Sequence, residues 1–85
     1  MALDILYFAW VRESIGLGQE RVDVPADVGS VSDLIDWLAG RGGGYAEAFA
    51  ERGKLRAAVD QTFVPLDTPL GSAREVAIFP PVTGG

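Results

Sequence analysis

The chain contains no cysteine and no histidine. Without cysteine there is no disulfide scaffold, no thiol nucleophile and no thiolate metal site. Without histidine, the usual general base and the commonest metal ligand are both missing. No bound metal is expected. Asparagine is absent as well, so no glycosylation sequon exists. Lysine occurs once, as Lys54 in "RGKL". A catalytic amine needs burial or a cationic neighbour to lower its pKa; nothing local argues for burial, so Lys54 reads as a surface charge. Long apolar runs are lacking too. The first is bracketed by Asp4 and by Arg12-Glu13, far short of the ~20 residues that cross a bilayer, and no basic segment precedes it. No membrane association is expected, and the cytoplasm is the expected location.

Positive charge is scarce. Seven basic residues against twelve acidic ones leave a net charge of −5. Nucleic-acid backbones are bound by basic patches, so a nucleic-acid partner is not expected. A partner with a basic surface would suit the chain, although a modest acidic excess also serves solubility. The 85 residues make one domain, and a hydrophobic fraction of 48% supplies a core without staples.

The segment "LDILYFAW" (Leu3 to Trp10) is rich in aliphatic and aromatic residues and reads as a strand. Alternation puts Ile5, Tyr7 and Ala9 on one face and Asp4, Leu6, Phe8 and Trp10 on the other. "VRESIGLG" reads as a helical turn ended by Gly16. "QERVDVP" alternates, with Val22 and Val24 inward, and the Gly16–Gly18 loop would join the two strands as a hairpin. In "SVSDLIDWLAG", Val31, Leu34, Ile35 and Leu38 fall at i, i+3, i+4 and i+7, the apolar stripe of a surface helix. Ser30 is its N-cap, Asp33 favours its positive end and Gly40 is the expected terminator. After "RGGG", "YAEAFAERG" reads as a short helix with Tyr45 and Phe49 paired at i, i+4. The last third is strand-like: Ala57 and Val59 on one face, a turn at Asp60-Gln61, then Phe63 and Val64. A loop carries Asp67, Pro69 and Gly71. In the final strand Val76 and Ile78 point inward and Ala77 and Phe79 outward. This order predicts an α+β roll, one sheet wrapping the capped helix.

Internal catalytic motifs are missing. Gly40 to Gly44 does not complete G-x-G-x-x-G, because Tyr45 occupies its last position, and no P-loop occurs. Asp33 and Asp36 share a helix face, but its polar one. The remaining feature is the end of the sequence, "FPPVTGG". Pro80 and Pro81 cannot donate to a sheet ladder and hold φ near −65°, so they launch the tail in an extended direction. Gly84 and Gly85 form a tip without a β-carbon, able to thread a channel closed to other residues. A carboxyl group there, with a pKa near ~3.5, is ionised and a poor electrophile, so it must be activated, most simply as an acyl-adenylate. The missing thiols then mean that nothing internal intercepts the activated carbonyl. The alternative is that glycine merely suits a frayed end.

The segment "GKLRAAVDQTFVPLDTPLGSAREVAIFPPVTGG" resembles the C-terminal half of the molybdopterin synthase small subunits, the ubiquitin-like sulfur carriers of molybdenum cofactor synthesis. "LYFAWVRESIG" is similar to that family's opening strand and helical turn. The resemblance implies a β-grasp (ubiquitin-like) fold over residues 1–79, a mixed sheet curling over the helix from Ser30 to Gly40, with residues 80–85 as an extended, flexible tail. It implies that an adenylyltransferase related to the ubiquitin activators uses ATP on the carboxyl of Gly85, and that a sulfur donor converts it to a thiocarboxylate. The tail would then enter the large synthase subunit and give its sulfur to cyclic pyranopterin monophosphate. Two small subunits would flank a large-subunit dimer, and the chain itself would bind no cofactor. Gly85 would carry sulfur, Gly84 would give the slender approach, and Val82 and Thr83 would line the channel. Phe8, Phe63 and Phe79, facing away from the helix, would form a partner surface, or else a second minor core. Asp60 stands where the family usually has asparagine, which puts a side-chain donor role at that turn in doubt. Two rivals remain: a carrier for thiazole or cysteine synthesis, and a ubiquitin-like module that carries no sulfur, its Gly-Gly vestigial or joined to lysines.

Overall fold

The structure, a computed structural model, describes residues 1–81. Nine elements follow one another: β1 (Ala2–Tyr7), α1 (Ala9–Ile15), β2 (Gln19–Asp23), α2 (Val31–Ala39), α3 (Gly43–Ala48), a 3-10 turn (Arg52–Lys54), β3 (Arg56–Val59), β4 (Thr62–Val64) and β5 (Glu75–Phe79). The strands form a single mixed sheet in the order β2-β1-β5-β3-β4. Its central pair, β1 and β5, is parallel, while β1–β2, β3–β5 and β3–β4 are antiparallel. This is the expected α+β, β-grasp arrangement, with β5 inserted beside β1 in the middle of the sheet.

One sheet face is buried under α2. Leu3, Ile5 and Tyr7 of β1 and Val76 and Ile78 of β5 meet Val31, Leu34, Ile35 and Leu38 in one cluster, all essentially without solvent exposure. The start of α2 is closed as its sequence predicts: the Ser30 hydroxyl accepts from the Asp33 amide at 3.1 Å. Two more amides of that first turn are satisfied by the loop before β5. Val31 N–H donates to the Thr68 carbonyl at 3.0 Å and Ser32 N–H to that of Leu66 at 2.7 Å.

Two local expectations need correction. The first strand stops at Tyr7 rather than Trp10, and α1 begins at once. Ala9 adopts a left-handed φ of 54°, which turns the chain off the sheet; a non-glycine residue there carries about 1–2 kcal/mol of strain. Trp10 therefore lies on α1 and not on the sheet. Gly16 does end that helix, with φ 90° and its N–H on the Arg12 carbonyl. Gly40, by contrast, ends α2 in a right-handed conformation (φ −64°), so it is no left-handed terminator. The chain breaks two residues later, at Gly42 (φ 76°), which leads into α3.

Candidate functional site

The outward face of the sheet carries the expected aromatic residues. Register brings Leu6, Ala77, Ala58 and Phe63 into one row across β1, β5, β3 and β4. Two residues along β5, Phe79 lies on the same face. Its ring centroid is 5.2 Å from that of Phe63, with the planes tilted by 43°. Phe8 follows the last residue of β1 with its backbone still extended (φ −131°, ψ 157°), so strand parity persists and its side chain joins the same face.

Between these rings lies a cleft of about 490 Å³, lined by Phe8, Ala9, Ala58, Phe63, Ala77 and Phe79 and closed at one end by Pro80 and Pro81. Its floor is the register pair Ala58 and Ala77, both buried although they face outward, because the flanking rings shade them. Its walls are open: Phe8 is 47% exposed and Phe63 74%. Among the described residues its lining side chains are all apolar, so what they offer is a surface for apolar groups. Pro80 and Pro81 are half-buried at its end. The readings made for Val82, Thr83, Gly84 and Gly85 lie outside the described residues.

The ThiS family profile matches residues 5–85. The chain belongs to the ThiS family. This ThiS-family chain is 46% identical over 83 residues to the molybdopterin synthase sulfur carrier subunit of Escherichia coli K12, covering 98% of this chain and 99% of that one. It is also similar to a putative molybdopterin converting factor, subunit 1, of Pyrococcus furiosus, with a TM-score of 0.74 and 27% identity over 96% of this chain and 99% of that chain. A third relative is small archaeal modifier protein 1 of Haloferax volcanii, with a TM-score of 0.69 and 26% identity over 95% and 98% of the two chains.

The polar residues considered for chemistry in this ThiS-family member are accounted for by local contacts. Lys54 is exposed and pairs with Glu51 at 3.2 Å. Asp33 accepts from the Gly29 amide at 3.3 Å, and Asp36 pairs with Arg52. Asp60 and Gln61 both take left-handed φ values (48° and 72°), the geometry of a two-residue hairpin turn. Asp60 Oδ1 accepts from the amides of Arg74 and Glu75, each at 3.0 Å, tying the hairpin to the start of β5. The side chain thus serves as an acceptor, which a carboxylate supplies as well as an amide. Among the described residues no cluster of histidine, cysteine, aspartate and glutamate could hold a metal ion. No helix among them is long and apolar enough to cross a membrane.

One polar centre escaped the sequence reading. Glu20 on β2 points inward, where Oε2 accepts from the Tyr7 hydroxyl at 2.8 Å and from Tyr45 at 2.7 Å, while Arg41 donates to Oε1 at 2.9 Å. Arg41 also stacks over Trp37 and Tyr45, 5.0 and 5.1 Å from the ring centroids. Partial burial alone would raise the Glu20 carboxyl. The hydrogen bonds from Tyr45, Arg41 and Tyr7 together outweigh it and hold the group below its ordinary value. Burial, and then the adjoining carboxylate, push both phenols upward, so each stays a neutral donor. The signal was present: Glu20 shares strand parity with Val22 and Val24.

Proposed function

We propose that this chain is the sulfur carrier subunit of a molybdopterin synthase, acting in the cytoplasm. The observation that carries this reading is the near end-to-end match to a protein of that name. It is supported by an apolar cleft, without chemistry of its own, that ends at the two prolines before the tail. The chain contributes a shaped surface and a threadable end; its partners contribute the catalysis.

An adenylyltransferase docks the domain and receives the tail. The Gly85 carboxylate attacks the α-phosphate of ATP, pyrophosphate leaves, and the mixed anhydride makes the carbonyl electrophilic. A donor of sulfide-level sulfur (HS⁻) displaces AMP and leaves a thiocarboxylate. The domain then docks on the large synthase subunit, two carriers to a large-subunit dimer, where sulfur passes to cyclic pyranopterin monophosphate and water returns Gly85 to the carboxylate. Pro80 and Pro81 hold the tail straight, Val82 and Thr83 line the channel, and Gly84 keeps it narrow. ATP belongs to the activating partner, and the chain binds no cofactor itself.

Intact mass after incubation with ATP, a sulfur source and the activating enzyme tests the chemistry. The expected product exchanges one oxygen for one sulfur, and a chain lacking Gly85 shows no exchange. Higher-mass adducts on lysines instead would make the chain a protein tag, a reading favoured by the likeness to an archaeal modifier protein. Capture of a thiazole synthase rather than a molybdopterin synthase large subunit would reassign the pathway.

A further inference from the structure

Two clefts flank the Phe63–Phe79 pair, and they differ in charge. The side chains lining the first are all apolar. The second, of about 390 Å³, is lined by Arg56, Ala57, Phe63, Val64, Pro65 and Phe79. Strand register sets Arg56 directly across from Phe79, one residue before the prolines begin. Its Nη1 donates to the carbonyls of Leu55 at 2.8 Å and Gly53 at 3.1 Å, which pins the guanidinium to the local backbone. Among the described residues no carboxylate pairs with it. Arg21, Arg41, Arg52 and Lys54 each have one. A guanidinium carries five N–H donors in a planar fork suited to carboxylates, and anchoring through Nη1 leaves Nε and Nη2 free of any protein acceptor among those residues. An arginine already held in place loses less conformational freedom when it binds. Arg12 and Arg74 also lack a carboxylate partner among the described residues, but of the three only Arg56 lines this aromatic cleft, in a chain of net charge −5.

We propose that this second cleft takes an acidic side chain of the large synthase subunit, an aspartate or glutamate paired with Arg56 beside an apolar group resting on Phe63 and Phe79. The inference rests on the tail-delivery reading above. Placement favours a protein surface as the source of the carboxylate. Any partner that engulfs the tail beyond Phe79 brings the rim of its channel against Arg56. A partner group resting on the Phe79 ring, which register places across from Arg56, would shield that side of the guanidinium from water and strengthen an ion pair formed there. Arg56 therefore contributes orientation and discrimination between partners, while the aromatic rings contribute contact area.

Binding of the full chain to the purified large subunit encoded in the same genome, measured by calorimetry at low and high salt, tests this. Arg56→Gln should raise Kd about tenfold at low salt and flatten its salt dependence, and Arg56→Glu should raise it further. Arg56→Lys should keep the salt dependence and lose part of the affinity, since an ammonium lacks the fork. Arg56 is exposed, so melting temperatures of all three should match the unmodified chain. The proposal is overturned if Arg56→Gln and Arg56→Glu bind as the unmodified chain does, with the same salt response. Should Phe63→Asp then still abolish binding, the carrier reading stands and only the role of Arg56 is lost. Failure of the unmodified chain to bind the large subunit overturns both.

Discussion

Gly44 on α3 lies so close to Ser14 on α1 that a β-carbon at Gly44 would overlap the Ser14 carbonyl oxygen. The contact is between backbones, so no side chain can swing aside to make room. Gly44→Ala should therefore push α3 off α1 and cost about 1–3 kcal/mol. For a domain of this size that is a fall in melting temperature of roughly 5–20 °C, readable by circular dichroism. A melting temperature unchanged within a degree or so would mean that the two helices are not packed this closely.

The Glu20 centre predicts a pH dependence. Its carboxyl is held below the ordinary value in the folded chain, so the unfolded chain takes up the proton first as acid is added. The stabilisation is complete above about pH 4.5, the ordinary value, and is lost as pH falls through the lower, folded value. Glu20→Gln keeps an acceptor for the tyrosines but removes the titration. Its melting temperature should fall less steeply than that of the unmodified chain below that pH. Glu20→Ala leaves the buried Tyr7 hydroxyl unpaired and should cost about 2–3 kcal/mol at neutral pH. Parallel acid profiles for the Gln variant and the unmodified chain would remove Glu20 from this role.

At the hairpin, acceptor geometry separates two substitutions. Asp60→Asn retains an oxygen for the amides of Arg74 and Glu75 and should leave stability nearly unchanged. Asp60→Ala removes it from a left-handed position that alanine also disfavours, and should cost about 1–2 kcal/mol in chemical denaturation. Equal losses in the two variants would indicate that charge, not accepting capacity, is what the turn uses.

Elements and sites of the fold differ in how visible they are in the sequence. Helix α2 was legible because its apolar spacing, its Ser30 cap and its burial all express one local period. The outward aromatic residues were legible because strand parity is local too, and Phe8 kept that parity past the end of β1. The switch into α1 was not, since it depends on Ala9 taking a left-handed conformation for which alanine has no preference. Tyr7, Glu20 and the Arg41–Tyr45 segment come from three separate stretches, and only the folded chain brings them together. The role of Gly44 was hidden for the same reason. A run of glycines reads as a connector until the neighbouring helix is known, and "RGGG" holds both a left-handed turn at Gly42 and a tight packing contact at Gly44.

Phe63 and Phe79 touch each other but should respond differently to charge. Phe63 is 74% exposed on the short edge strand β4, so Phe63→Asp removes little from the core and should change stability by no more than about 0.5 kcal/mol. Phe79 is half-buried at the end of central β5, and Phe79→Asp sets a carboxylate beside Ala58 and Ala77. It should lower the melting temperature measurably. Both should weaken binding to the large synthase subunit by tenfold or more, because an exposed aromatic that anchors a partner typically contributes at least ~2 kcal/mol. Denaturation and calorimetry on the same samples separate the two effects. If Phe63→Asp binds as the unmodified chain does, the outer face of this sheet is not the docking surface, and the tail must be delivered by contacts elsewhere. If it unfolds, Phe63 belongs to a second core that its exposure gives no reason to expect.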